Sequence, residues 1–378
     1  MTNDDVAKPV RVGLVGLGGV CEQVHYPGFS RIPGVVIAAL VDSDSNLLSQ
    51  RKEQWLLAEG TYPNLATALQ EADLDAVAIA TPNNLHQGLI EKALSSGCHV
   101  LCEKPLGIDF EQTLSICEKA KASGLRHMTA FTYRFVPGMT YLKHMVDSGQ
   151  LGQIRHARFQ RLQDWGELSI GWRQYKDQAG LGELGDMGIH RIDYAENLMG
   201  PIRSVCGLTK QLVQRDERPD GTSCPPQDVE DWVAWIAEFE SGATAVFEMG
   251  KLTKGHGPQG DHDLAELNGT KASGSYRLHT PHEIEFGGRQ EPYQTVPVPD
   301  RFLTRPGSPR KPYDGELTTV FRYDQAWEFI SAIREGRECI PSFYHGMRAQ
   351  LVADMVVKAS NERRWVDIPI ISSFQGQT

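Results

Sequence analysis

The sequence predicts an α/β doubly wound domain followed by an α+β domain built on a large, mostly antiparallel open sheet. Three observations lead there. Short apolar segments alternate with stretches of helical periodicity as far as Phe131. The first of those segments runs straight into a glycine-rich turn. After Arg134 the pattern changes to longer strands separated by plain turns. At about 150 residues per domain, a chain of 378 residues suggests two domains. We expect them at residues 1–132 and 133–378.

Val10–Val15, Val35–Val41, Leu74–Ala80 and His99–Cys102 read as strands, with a short piece at Thr61-Tyr62 and a last strand at His127–Phe131. Short, wholly apolar strands set between helices imply a parallel sheet covered on both faces. In Leu85–Ser96 the residues Leu85, Leu89, Ile90, Ala93 and Leu94 share one helical face. Gly97 then ends that helix, and Asp109 caps the next, which runs to Gly124. Val136-Pro137-Gly138 breaks the chain before a helix over Thr140–Ser148. Further strands follow at Ile154–Gln163, Asp231–Glu240 and Thr244–Leu252, the last two joined by a hairpin turn at Ser241-Gly242. Residues 253–263 and 303–313 are rich in glycine, proline and charge and read as loops. Helices over Tyr323–Glu335 and Gly346–Ala359 and a strand over Trp365–Ile370 complete the chain.

The net charge is −10. Binding nucleic acid needs a concentrated basic surface, so that partner is not expected. No run of about 18 apolar residues is present, so no membrane span is expected. The polar stretch Met1–Pro9, with Asp4 and Asp5, lacks the order of a secretory signal. We therefore expect a cytoplasmic protein. Its seven cysteines are irregularly spaced and form no C-x-x-C pair, which suits reduced thiols and gives no support to a metal site. His256, Asp261, His262 and Asp263 fit no ligand spacing either and read as a solvated loop.

Gly16-Leu17-Gly18-Gly19-Val20-Cys21 ends the first strand and opens a helix. Gly16 permits a tight turn, and Gly18 lets the backbone approach a pyrophosphate lying on the helix N-terminus. Cys21 stands where glycine or alanine is usual, and it is small enough to preserve close packing. The glycine pattern alone is weak. Its position, together with Asp42 at the end of the second strand, makes it a dinucleotide signal. Asp42 lies 21 residues beyond Cys21, near the spacing of an acid that binds the adenosine ribose. Its carboxylate would repel a 2′-phosphate, so NAD(H) is favoured over NADP(H). A helix N-cap is the plainer role for Asp42, and Ser43 or Asp44 would cap equally well.

More specific are Ala80-Thr81-Pro82-Asn83-Asn84-Leu85-His86 and Gly97-Cys98-His99-Val100-Leu101-Cys102-Glu103-Lys104-Pro105-Leu106. Tyr133-Arg134-Phe135, Ser148-Gly149-Gln150-Leu151-Gly152 and Asp186-Met187-Gly188-Ile189-His190-Arg191-Ile192-Asp193 follow in order. Together these segments closely resemble the Gfo/Idh/MocA family of oxidoreductases, over nearly the whole chain. The resemblance implies a Rossmann domain and a set of roles. Lys104 would contact the reacting hydroxyl, and His190 would be the general acid/base. Asp186 would orient His190 or share its proton, since residues four apart lie on one face of a helix. Gly16, Gly18, Gly19, Val20, Asp42, Thr81, Pro82, Asn84, His86, Glu103, Lys104, Trp172 and Arg173 would hold the cofactor. Tyr133 and Arg134 would join the catalytic three around the substrate, and Arg158 is added to them from its place on the first strand of the second domain, where an arginine facing the crevice could bind a charged substrate. Strand alternation puts Arg155 and Arg161 on one face and Arg158 on the other, with salt bridging as the plain role for each.

The expected function is hydride transfer between nicotinamide and a secondary hydroxyl of a sugar, glycoside or cyclitol. Two rivals are a glycoside-cleaving enzyme of the same family and a sugar- or dinucleotide-sensing regulator without catalysis. The resemblance also implies a homodimer or homotetramer, with Trp232 and Trp235 supplying an apolar sheet face.

Overall fold

The computed structural model describes residues 8–374 except 57, 168–169, 219, 258–261, 314 and 317–318. Residues 1–7 and Asp261 therefore lie outside the described residues. The first domain holds six parallel strands: β1 (Val10–Val15), β2 (Val35–Val41), β3 (Gly60–Tyr62), β4 (Ala76–Ile79), β5 (His99–Cys102) and β6 (His127–Thr129). Their order is β3-β2-β1-β4-β5-β6. The order reverses between β1 and β4, which opens a crevice at the C-terminal ends of those strands. The central strands are apolar over most of their length because both sheet faces are covered; Arg11 in β1 and His99 in β5 are the polar exceptions. Val12 and Leu14 enter one core cluster, whereas Val77 and Ile79 enter the other.

The helices α1 (Tyr26–Ser30), α2 (Ser45–Gln54), α3 (Leu65–Glu71), α4 (His86–Ser95) and α5 (Phe110–Ser123) link these strands. Asp109 caps α5 by accepting from the Gln112 amide at 2.8 Å, and Gly124 closes it with φ +69°. The Asn83–Leu85 segment is a separate 3₁₀ turn ahead of α4. This leaves Leu85 exposed instead of on the buried face assigned to it. The helix after the glycine loop opens with a π turn, Cys21–His25, in which the Tyr26 amide reaches back to the Cys21 carbonyl. Pro27 follows, and it has no N–H to give the Gln23 carbonyl.

The second domain comprises α6 (Pro137–Asp147), β7 (Ile154–Leu162), α7 (Lys176–Ala179), α8 (Ile189–Met199), β8 (Ile202–Lys210), β9 (Trp232–Phe239) and β10 (Thr244–Gly250). After these come β11 (His262–Gly269), β12 (Ala272–Arg277), β13 (Glu283–Gly288), β14 (Gln294–Pro297), α9 (Tyr323–Glu335), α10 (Phe343–Glu362) and β15 (Val366–Asp367). Nine strands form one sheet in the order β14-β13-β12-β11-β7-β10-β9-β8-β15. All neighbours are antiparallel except β7 and β10, which are parallel. After β7 the chain crosses through α8 to β8 and then returns by two antiparallel steps, which sets β10 beside β7 in the same direction. The β9–β10 turn has three residues, Glu240, Ser241 and Gly242, with Gly242 at φ +82°. That is the turn-plus-bulge form, not a two-residue turn. His262 and Asp263 belong to β11, so the loop assigned to 253–263 ends earlier.

On the inner sheet face Trp235 stacks on Phe247 at 4.4 Å, and Phe247 on Phe159 at 4.9 Å. Helix α8 covers this stack with Ile189, Ile192 and Ala195. Trp235 is 2% exposed and is therefore core, not the outer surface expected of it. Trp232, an odd number of residues away, faces outward with Ile236 and Val246. Helices α9 and α10 turn back to the first domain, α9 packing on α1 and α10 on α5. We propose the division between the domains at residues 132/133, within the 3₁₀ turn Thr132–Phe135. No described helix is long and apolar enough to cross a membrane.

Candidate active site

A cleft of about 990 Å³ opens over the C-terminal ends of β1, β2, β4 and β5 and is closed on the far side by the second domain. Its floor is the glycine loop. Gly16 has φ +83°, and a Cβ there would lie 2.8 Å from the Ala80 carbonyl carbon and oxygen. Glycine is thus required both by conformation and by the close approach of β4. A Cβ on Gly18 would meet nothing within 4 Å, because that face opens into the cleft. Asp42 braces the loop: its Oδ2 accepts from the Leu17 amide at 2.8 Å and its Oδ1 from the Asp44 amide at 3.0 Å. The cap of α2 falls to Asp44, which accepts from the Asn46 and Leu47 amides. Asp42 is thereby left to line the cleft. Open glycine backbone beside a fixed carboxylate fits the pyrophosphate and ribose of a dinucleotide.

Cys21 is 1% exposed, and burial pushes its thiol far above the ordinary range. It packs beneath the loop. Arg51 is buried as well. It donates to the Leu17 carbonyl at 3.2 Å and to Glu22 Oε2 at 2.8 Å, so its guanidinium is spent on holding the loop.

Lys104 follows β5 and reaches across the cleft. Its Nζ donates to the Asp186 carboxylate and to the Asp186 carbonyl, both at 2.8 Å. Burial pushes the Asp186 carboxyl up, but the charges of Lys104 and Arg173 outweigh it and hold the group below the usual carboxylate range. Glu103 turns the other way, onto the buried His25, with 2.9 Å between Oε1 and Nε2. Burial opposes its ionisation, yet the His25 contact and Lys104 bring it below the ordinary value.

His190 is 4% exposed and lines the same cleft. The Tyr133 ring meets it edge-on at 4.5 Å. Burial, assisted by Lys104, Arg191 and Arg322, pushes the imidazole well below 6.5. It is therefore neutral near pH 7 and able to accept a proton. No hydrogen bond joins Asp186 to His190 among the described residues. Asp186 lies in the π turn Leu184–Gly188 that precedes α8. Asp186 partners Lys104 instead of steering the imidazole.

Gly16, Gly18, Gly19, Val20, Asp42, Thr81, Pro82, Glu103, Lys104, Tyr133, Trp172, Arg173, Asp186 and His190 all line the cleft. The Arg173 guanidinium lies over the Trp172 ring, 4.3 Å from its centroid. Four other assignments need correction. Asn84 is exposed, and its neighbour Asn83 lines the cleft and donates to the Ala179 carbonyl at 2.9 Å. His86 is wholly buried behind the cleft, bridging the carbonyls of Pro105 and Thr81 at 2.9 and 3.0 Å. Arg134 pairs with Asp193 through two bonds of 2.7 Å, away from the cleft. Arg158 is exposed on the outer sheet face, 3.4 Å from Glu266. Arg161, on the opposite face, lines the cleft instead. Sequence reasoning also missed Gln163, Trp165 and Arg322. Alternation could have grouped Arg161, Gln163 and Trp165 on one face; nothing local marks Arg322. Among the described residues no cluster of three or more potential ligands is placed to hold a metal.

Comparison with known proteins agrees with this architecture. Residues 10–131 match the oxidoreductase family with an NAD-binding Rossmann fold, and residues 139–275 match the GFO/IDH/MocA C-terminal domain. The chain is 28% identical over 404 residues to levoglucosan dehydrogenase of Pseudarthrobacter phenanthrenivorans, covering 96% of this chain and 99% of that one. It is 26% identical over 362 residues to inositol 2-dehydrogenase of Rhizobium meliloti, covering 95% and 99%. A levoglucosan dehydrogenase structure in complex with NADH superposes with a TM-score of 0.88 at 27% identity, covering 96% of this chain and all of the other. The chain belongs to the Gfo/Idh/MocA family of oxidoreductases.

Proposed function

We propose that this protein is an NAD-dependent dehydrogenase acting on a secondary hydroxyl of a sugar, glycoside or cyclitol. One observation carries the reading: Lys104 and a neutral His190 line the same cleft as the glycine loop. NAD, when bound, supplies the acceptor for the carbinol hydride. The glycine backbone at Gly16 and Gly18 would receive its pyrophosphate, and Asp42 its adenosine ribose. His190 takes the hydroxyl proton as general base. The Lys104 ammonium stabilises the developing alkoxide. Asp186 holds Lys104 in place through both hydrogen bonds. Thr81, Pro82, Trp172 and Arg173 line the cleft between the loop and the catalytic groups and would enclose the nicotinamide side.

NAD(H) is preferred over NADP(H) in this reading. Asp42 presents a carboxylate where a 2′-phosphate would sit, and Arg51 is occupied with Leu17 and Glu22. Among the described residues every cysteine is a free thiol, which supports a reducing, cytoplasmic setting. The outward Ile236, Val246 and Leu208 are 42%, 49% and 43% exposed and offer the face for a homodimer or homotetramer. The regulator alternative is disfavoured by the joint presence of Lys104, Asp186 and His190, and the dehydrogenase relatives favour neither rival.

The test is incubation with NAD or NADP and a panel of sugars, glycosides and cyclitols, following absorbance at 340 nm and products by NMR. Stoichiometric NADH and ketone formation from one of these supports the reading. Release of aglycone without NADH would overturn it in favour of glycoside cleavage.

A further inference from the structure

Several cations line the substrate end of the cleft. Lys104, Arg161 and Arg322 line it, together with the carboxylates of Glu103, turned onto His25, and Asp186, turned onto Lys104. Behind this wall the Asp263 carboxylate is shared between two guanidiniums, Arg161 at 2.9 Å and Arg191. Glu183 is wholly buried, and neither of its oxygens has a hydrogen-bond partner among the described residues. Burial pushes its carboxyl above the carboxylate range, against the pull of Lys251, Arg191 and Arg161.

Arg322 is the cation left over. It precedes α9 at the end of the 3₁₀ turn Val320–Arg322. Its guanidinium lies 5.8 Å from the centre of the Tyr133 ring, and that ring packs on His190. No carboxylate pairs with Arg322 among the described residues, and its buried Nε has no hydrogen-bond partner there. A half-buried guanidinium with idle donors is costly unless a ligand completes it. Its planar fork matches a carboxylate through two parallel bonds.

We propose that Arg322, backed by Arg161, forms a carboxylate-recognition subsite and that the favoured substrates are acidic sugars, uronates or aldonates. The inference rests on the dehydrogenase reading above and names its substrate class.

The experiment pairs binding with turnover. NADH-loaded wild-type protein and the variants Arg322→Gln and Arg322→Lys are titrated calorimetrically. The ligands are gluco-, galacto- and manno-configured uronates and aldonates, the matching neutral aldoses and the matching 6-phosphates. The same compounds are then assayed with NAD. We expect at least one acid to bind ten-fold more tightly than its neutral and phosphorylated counterparts. Arg322→Gln should reduce that preference at least ten-fold, and Arg322→Lys should retain part of it. Equal binding of acids and neutral sugars by wild type overturns the proposal. So does a preference for the 6-phosphate, or an Arg322→Gln variant that weakens every sugar, or NADH itself, to the same degree. Selective acid binding without NADH formation from NAD would uphold the subsite and overturn the dehydrogenase reading. Turnover of neutral sugars alone would do the reverse.

Discussion

The Lys104 ammonium spans the domain junction to donate two 2.8 Å hydrogen bonds to Asp186, one to its carboxylate and one to its carbonyl. The side chains are only 12% and 18% exposed, so the pair is nearly dehydrated. Removing one partner strands the other. Lys104→Met should lower kcat by about 10²–10⁴-fold, the range of a lost proton-handling group. It should also cost about 3 kcal/mol of stability, the scale of a broken buried pair. Denaturant unfolding beside steady-state kinetics checks both; full turnover in the variant would remove Lys104 from the mechanism.

The pH dependence follows from His190. Burial and neighbouring cations lower its pKa below 6.5, so the base form is already present at neutral pH. As pH falls through that lowered value the imidazole is protonated and loses its base function. The acid limb of kcat/KM should therefore lie below pH 6.5, and His190→Asn should abolish it. A limb centred above pH 7 would contradict this assignment.

Cofactor choice turns on Asp42. Asp42→Ser removes the negative charge while keeping a short polar side chain near the Leu17 amide. The NAD-to-NADP ratio of kcat/KM should fall at least ten-fold, by about 1.4 kcal/mol or more. Fluorescence titration with NADH and NADPH should show the same shift. An unchanged ratio would place the discrimination elsewhere.

The two faces of the β9–β10 pair predict different outcomes. Trp235 stacks within the core, so Trp235→Ala should cost about 3–5 kcal/mol. On the opposite face, the proposed oligomer interface predicts that Ile236→Asp with Val246→Asp gives a monomer in sedimentation that keeps the wild-type far-UV circular dichroism spectrum. A double variant that remains oligomeric would move the interface off this face.

Much of the first domain was legible from local pattern. β1, β2 and β5 have the bounds that apolar runs and turns imply, because a strand covered on both faces is apolar over most of its length. The glycine loop was equally legible, since Gly16 needs a positive φ that few residues adopt. Strands β8 and β11–β14 were not drawn out, because half-exposed strands with short turns carry weak alternation. The Arg158 assignment failed for a related reason. Alternation separates Arg158 from Arg161 but does not say which face meets the cleft.

By itself, the sequence determined the order of elements in the first domain, the dinucleotide loop and the residue types of the Lys104, Asp186 and His190 group. Those are local or short-range properties: backbone conformation, period and motif spacing. Tertiary structure alone decided the partners. Packing of the segment after β5 against the Leu184–Gly188 turn gave Asp186 to Lys104, 82 residues distant. Chain folding brought Arg322 from the start of α9 to the wall beside Tyr133 and His190. Where a buried charge finds its counter-charge depends on which elements pack together, and short-range sequence pattern does not encode that.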